Sequence, residues 1–405
     1  MDFDMLGLAP RLVARLAEQG ITRPTPIQAR AMPHAMQGRD VMGLAQTGTG
    51  KTVAFGLPLI HILAAQGTKV APRTVRGLIL APTRELAGQI ADNLQAFTRG
   101  SHIKVGLVVG GVSINTQIRR LERGLDLLVA TPGRLLDLLD RNAVSLAETR
   151  FLVLDEADQM LDLGFIHALR RIARLLPAER QTMLFSATMP RHMGELADTY
   201  LTDPVRVEVA RSGQTAAKVS QSVHFIAQNQ KKELLIELLD AHRDELALVF
   251  ARTKHGAEKL KRNLEAAGFA AASIHGNKSQ GQRDRAIRAF REGRTRVLVA
   301  TDVAARGIDI PGVRHVYNFD LPNVAENYVH RIGRTARAEA EGAAIAFCAP
   351  DEMGSLRAIE KLLKTGIAVT SGSPWETAPA AKPRGSRPGN SARRPRRWKG
   401  KRRAA

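Results

Sequence analysis

Short apolar runs recur along the first half of the chain, at 41–44, 77–81, 105–109, 126–130, 151–154, 182–185 and 205–209. Runs of this length, bounded by glycine or polar residues, read as strands buried on both faces. Longer stretches with apolar residues at helical spacing separate them. Strands alternating with helices predict a parallel sheet covered by helices on both sides. The pattern restarts after residue 218, with strands over 222–226, 247–250, 271–274, 297–300, 315–319 and 343–347. Helices fit 231–241, 254–267, 282–290, 324–332 and 352–363. Residues 1–40 read as helical, through Leu12, Val13, Leu16 and then Ile27, Ala31 and Met36, broken by the rigid Pro24-Thr25-Pro26.

Two breaks interrupt this periodicity. Residues 210–218 are small and polar and read as a linker between one α/β domain over 1–209 and a second over 219–368. From 369 to 405 Ser, Gly, Pro and Ala dominate, with eleven Lys and Arg against the single acid Glu376. So few apolar residues cannot offset the entropy of ordering them, and a disordered basic tail is expected there.

Composition sharpens the picture. A chain of 405 residues with 44% apolar content can bury two cores. A net charge of +21 and a pI near 10.9 ask for a polyanionic partner. Nucleic acid is the favoured candidate and an anionic membrane surface the weaker one, since no apolar run approaches spanning length. Residues 1–4 carry no basic or apolar leader, so no secretory signal and a cytoplasmic setting are expected. Cys348 is the only cysteine, which excludes an internal disulfide or a cysteine-held metal cluster.

Candidate chemistry gathers at predicted strand ends. The strand over 151–154 runs into Asp155, Glu156 and Asp158, carboxylates that are costly to pack together without a cation. An ordinary acidic turn gives the same pattern, but a second site about a hundred residues upstream needs this one. There a strand leads into Ala45, Gln46, Thr47, Gly48, Thr49, Gly50, Lys51 and Thr52, which open a helix. This is a phosphate-binding loop with Ala45 in place of the usual first glycine. Backbone N–H groups around Gly48 and Gly50 converge on phosphate, Lys51 reaches the β- and γ-phosphates, and the Thr52 hydroxyl suits Mg²⁺. Further polar runs follow other strands: Pro82-Thr83-Arg84-Glu85, Thr131-Pro132-Gly133-Arg134, Ser186-Ala187-Thr188, and Thr301-Asp302. Each alone could be a turn and helix cap; their recurrence on one sheet edge, where α/β folds bind ligands, is the informative part. Gln28 carries the donor and acceptor that read an adenine edge, although a surface helix start explains it too. Arg331, Arg334 and Arg337 would share a face if their segment were helical, as would a plain solvated basic helix.

Together these motifs resemble the DEAD-box family of ATP-dependent RNA helicases, in order, over nearly all of 3–365. The RhlE-type bacterial branch is the nearest match through residues 250–256 (Phe-Ala-Arg-Thr-Lys-His-Gly) and 275–280 (His-Gly-Asn-Lys-Ser-Gln). The resemblance implies two tandem RecA-like domains, with ATP, Mg²⁺ and single-stranded or duplex RNA bound across their cleft. It implies that Phe3, Ile21 and Gln28 form the adenine site, Ile21 replacing the usual stacking aromatic. Asp155 would hold the metal with Thr52, Glu156 would activate water, Arg334 and Arg337 would reach the γ-phosphate, and Asp309 the ribose. RNA would meet Arg84, Gly111, Thr131, Arg134, Gly276, Gln280, Arg283 and Thr301. Asp158, Ser186, Thr188 and His330 would couple the domains. Ala336 replaces a usual glycine beside the arginines. Local, non-processive unwinding follows from the resemblance, with ribosomal or RNA-decay proteins as partners; an ATP-gated clamp or a DNA translocase are the competing readings.

Overall fold

The computed structural model describes residues 2–45, 48–67, 69–189, 191–209, 219–305, 310, 312–335 and 342–375. The predicted linker over 210–218 lies outside the described residues, as do Gln46, Thr47, Asp309, Ala336 and Arg337.

Fourteen described strands form two seven-stranded sheets, in which all the described pairings are parallel. The first holds β1 (Val41–Leu44), β2 (Val75–Leu80), β3 (Val105–Val108), β4 (Leu125–Ala130), β5 (Phe151–Leu154), β6 (Gln181–Ser186) and β7 (Val205–Glu208), in the order β3-β4-β2-β5-β6-β1-β7. The second holds β8 (Val219–Phe225), β9 (Leu246–Phe250), β10 (Ala271–Ile274), β11 (Val297–Ala300), β12 (Val313–Asn318), β13 (Gly342–Cys348) and β14 (Ala368–Ser371). Its order, β10-β11-β9-β12-β13-β8-β14, repeats the first strand for strand.

The double-faced burial expected of parallel sheets is plain in β5. Phe151 and Val153 enter the core on one side, Leu152 and Leu154 the core on the other. Each such side chain contributes roughly 1.5–3 kcal/mol by leaving water, so β5 is fixed in place by its own apolar run. The polar residues immediately following it are thereby held at the carboxyl edge of the sheet. In the second sheet Ala247 and Val249 of β9 face one core, Leu248 and Phe250 the other.

Two expectations need correction. Residues 368–371 form β14, pairing in parallel with β8, and Trp375 Nε1 donates to the Cys348 carbonyl at 3.0 Å. The ordered chain therefore extends past the expected boundary at 369; residues 376–405 lie outside the described residues. Arg331 and Arg334 also do not share a helix. The helix Ala325–Ile332 stops at Gly333, so Arg331 is in its last turn and Arg334 beyond it. Nor is Arg331 solvated. It is among the most buried large side chains, gripped by both oxygens of Asp302 (2.6 and 2.8 Å), by Asn318 and by the Asp320 carbonyl.

Candidate active site and nucleic-acid interface

The phosphate-binding loop leaves β1 and enters the helix Lys51–Gln66 through Gly50, whose φ of +87° suits glycine. A Cβ on Gly50 would also stand 2.3 Å from Gln28 Nε2. Gln28 lies buried over this loop, donating to the Gly50 carbonyl at 3.0 Å and accepting from Thr25 N–H at 2.9 Å. Thr25 Oγ1 donates to the Thr49 carbonyl at 2.8 Å, so the Pro-Thr-Pro segment braces the loop directly. One lone pair and one N–H of the Gln28 amide remain for another group. Phe3 is buried in the neighbouring core, and Ile21 packs against that same core.

Lys51 opens its helix and points at the end of β5, with Nζ 3.5 Å from Asp155 Oδ1 and both side chains buried. Burial pushes the Asp155 carboxyl up to about 6; Lys51 pulls it down and Glu156 pushes it up. Burial lowers the Lys51 ammonium, but Asp155, Glu156 and Asp158 outweigh it and hold it above its ordinary value. Glu156 is almost fully buried and takes a left-handed backbone, φ +51° and ψ +52°, just before the helix Ala157–Asp162. That conformation is costly for a residue with a Cβ and turns the side chain sharply away from the strand direction. The Thr52 hydroxyl and the Asp155 carboxylate are oxygen donors of the kind a hard divalent cation takes. A protonatable buried acid beside a buried ammonium fits a site completed by phosphate and cation.

Asp158 faces the other way. Its Oδ2 accepts from Ala187 N–H at 3.1 Å, Thr188 N–H at 2.8 Å and Thr188 Oγ1 at 2.8 Å, while Ser186 Oγ donates to the Thr188 carbonyl at 2.7 Å. These bonds knit the ends of β5 and β6 within the first half. His330 stands in the helix Ala325–Ile332, and its carbonyl accepts from Arg334 Nε at 3.3 Å.

The second half meets the first across this edge. Arg334 is buried; burial lowers its guanidinium, and the charge of Glu156 raises it, which puts the two within electrostatic reach. Thr335 Oγ1 anchors the segment after Arg334 by donating to the Val313 carbonyl at 2.6 Å. Farther along the edge Glu85 Oε1 accepts from Gln280 Nε2 at 3.1 Å and pairs with Arg283 at 3.0 Å. Arg84 Nη1 reaches Gln280 Oε1 at 3.3 Å. Arg84 also lies against Gly111, where φ is +76° and a Cβ would be 1.9 Å from Nη1. Arg134 pins the same loop by donating to the Val112 carbonyl at 3.0 Å. Thr131 occupies the N-cap position of the helix Pro132–Asp140 without a side-chain capping bond, and Thr301 precedes the helix Asp302–Ala305. Gly276 opens onto space, with nothing within 4 Å of a Cβ. The sequence reading placed Glu85 in a polar strand-end run but gave it no role of its own.

A nucleotide-binding loop on one parallel sheet, faced by arginine from a second sheet of identical order, defines a two-domain RecA-like ATPase. Residues 25–196 match the model of the DEAD/DEAH box helicases, and residues 230–339 that of the helicase conserved C-terminal domain. The ATP-dependent RNA helicase CshA of Listeria monocytogenes is 43% identical over 376 residues, covering 93% of this chain and 71% of its own length. Among solved structures, S. cerevisiae Dbp5 bound to RNA and ADP BeF3 superposes with a TM-score of 0.80 at 34% identity, covering 91% of this chain and 95% of that one. A DEAD box protein from Methanococcus jannaschii gives 0.54 at 36% identity, covering 91% and 99%. The chain belongs to the DEAD-box family of ATP-dependent RNA helicases.

Proposed function

We propose that this protein uses RNA-stimulated ATP hydrolysis to unwind short RNA duplexes locally and without processive translocation. The observation that carries the reading is the join between the halves, where Glu85 binds Gln280 and Arg283 and the charge of Glu156 acts on the buried Arg334. The superposition supports it too. Overlap is better with the RNA- and ADP BeF3-bound Dbp5 than with the more similar Methanococcus sequence, as expected if the halves are arranged as in a nucleotide- and RNA-loaded relative.

Phosphoryl transfer needs positioning and charge stabilisation more than covalent help. In this reading Gln28 holds the adenine with its remaining donor and acceptor, and Ile21 gives contact area without aromatic stacking. Residues 45–49, Gln46, Thr47 and Gly48 among them, cradle the phosphates, and Lys51 binds the terminal ones. Thr52 and Asp155 would hold magnesium, which would supply charge neutralisation at the phosphates. Glu156 orients the attacking water and accepts its proton. Arg334, with Arg337, stabilises charge on the transferring group, and Asp309 meets the ribose. Arg84, Gly111, Thr131, Arg134, Gly276, Gln280, Arg283 and Thr301 grip the RNA sugar-phosphate backbone, a mode that suits the 4% aromatic content. Asp158, Ser186, Thr188 and His330 relay closure between the sites. ATP and RNA each favour the closed arrangement, so each tightens the other. The basic segment beyond 375 adds affinity that depends on salt but not on sequence. A cytoplasmic setting in ribosome assembly or RNA decay fits this activity. The RhlE-type placement rests on the runs at 250–256 and 275–280, whereas the relative named above is a CshA protein.

Glu156→Gln is the direct test. Phosphate release should fall to background while ATP-dependent binding of a labelled single-stranded RNA, followed by fluorescence anisotropy, persists. Normal turnover would remove Glu156 from its role. Equal ATPase stimulation by single-stranded DNA would instead overturn the choice of RNA, which rests on 2′-hydroxyl contacts.

A further inference from the structure

At the opposite, amino-terminal ends of the second sheet's strands lies a cluster that the ATP and RNA sites do not use. The turn after the helix Lys231–Asp240 carries His242 and Glu245, and β12 brings His315 against them. One donor atom from each lies within 4.8 Å of the other two. His242 Nδ1 is 3.8 Å from Glu245 Oε2, and His315 Nε2 is hydrogen-bonded to that same oxygen. The two imidazoles stack with centroids 4.1 Å apart and planes 23° from parallel.

A break in the strand ladder creates this meeting. Residues 313, 315 and 317 of an unbroken strand would share one face. Here the register shifts between Val313 and His315, so Val313 packs into one core, whereas Tyr317 packs into the other with His315 stacked beside it. Bulges of this kind commonly re-aim a side chain. Without the shift, the His315 ring would not lie beside Glu245.

We propose that His242, Glu245 and His315 form a zinc-binding site on the second domain, distinct from the site that serves ATP. Two imidazoles and one carboxylate are the donor set of borderline divalent ions, and zinc accepts them in an open tetrahedral arrangement. Arg314 opposes a cation here, since its charge acts on both Glu245 and His315. Ligand atoms around zinc stand roughly 3.3 Å apart, from bond lengths of about 2.0–2.1 Å in a tetrahedron. The exposed His242 side chain must therefore move toward the other two ligands, by up to about 1.5 Å, while the short His315–Glu245 contact lengthens and the imidazole stack opens. His315, the buried ligand, is already held by the sheet.

The test is calorimetric titration of the nucleotide-free full chain with Zn²⁺, paralleled by the visible absorption of bound Co²⁺. One saturable equivalent is expected. His242→Ala and Glu245→Gln, both at exposed positions, should each weaken it by at least about tenfold. His167→Ala, at an exposed histidine of the first domain, should leave it intact. Absence of saturable binding, or equal binding by the His242 and Glu245 variants, would overturn the site.

Discussion

Asp155 and Glu156 show how one strand end places two neighbouring carboxylates in different surroundings. Asp155 continues the strand line into the buried ion pair with Lys51, whereas Glu156 takes a left-handed turn and its charge acts on Arg334 of the second half. The Asp155 carboxyl, raised to about 6 by burial, must ionise to hold a cation. Affinity for Mg²⁺·ATP should therefore be full at pH 7.5 and fall as the pH drops through about 6, where protonation competes. In Asp155→Asn the affinity should be lower throughout and lose that pH dependence; fluorescent-nucleotide titration from pH 5 to 8 measures both. Gly111 makes a second residue-scale prediction, since an added methyl would collide with Arg84 in a backbone conformation that favours glycine. Gly111→Ala should raise the RNA concentration needed for half-maximal ATPase about tenfold, a cost near 1.4 kcal/mol, while unstimulated nucleotide binding stays the same. The identities of these residues were legible from the sequence because glycines, lysine and acids sat at the ends of apolar runs. The strained φ at Glu156 and the bonds already occupying Gln28 were not, since both depend on packing around the loop.

At the scale of elements, the two sheets repeat one topology, and the repeat extends to the chemistry. Lys51 begins the helix after β1 and pairs with Asp155 just past β5; Lys231 begins the helix after β8 and lies 3.8 Å from Asp320 just past β12. In the second sheet, however, Glu352 holds that lysine at 2.5 Å, and the pair is fully buried, so the equivalent position is structural. All thirteen strands expected from apolar runs are present within a few residues of their limits. The missed one, β14, is exposed at every position and leaves no periodic trace. It could have been inferred only from the repeat, as the counterpart of β7. The join between the halves was equally illegible, because Glu85 and Arg283 are nearly two hundred residues apart and meet only after both sheets fold. That join predicts an effect of its own. Glu85→Ala removes the acceptor that both Gln280 and Arg283 use, leaving a half-buried guanidinium without its carboxylate. The variant should fold normally, since each half keeps its core. It should require about tenfold more RNA for half-maximal ATPase and show little change in ATP affinity without RNA.

For the whole molecule, the extent of the second sheet decides how the basic segment should be separated from the enzyme. The charge pattern put the change at 369, but β14 completes the sheet on β8, and Trp375 packs against the neighbouring core and donates to Cys348. Truncation after 375 should therefore leave the RNA-stimulated maximal turnover and the melting temperature close to those of the full chain. It removes all eleven of the cations counted beyond 368, since none precedes Lys382. RNA affinity should then fall, and the slope of log affinity against log salt should flatten, because fewer counterions are released on binding. Truncation after 368 removes the same charges plus most of β14 and the Trp375 contact. It should give the same salt slope but a lower melting temperature, since β8 becomes an uncovered edge with unpaired backbone groups. Anisotropy titrations at several salt concentrations and a thermal melt separate the two outcomes. Equal melting temperatures for the two truncations would deny β14 its place in the domain, and an unchanged salt slope in both would deny the basic segment a part in holding RNA.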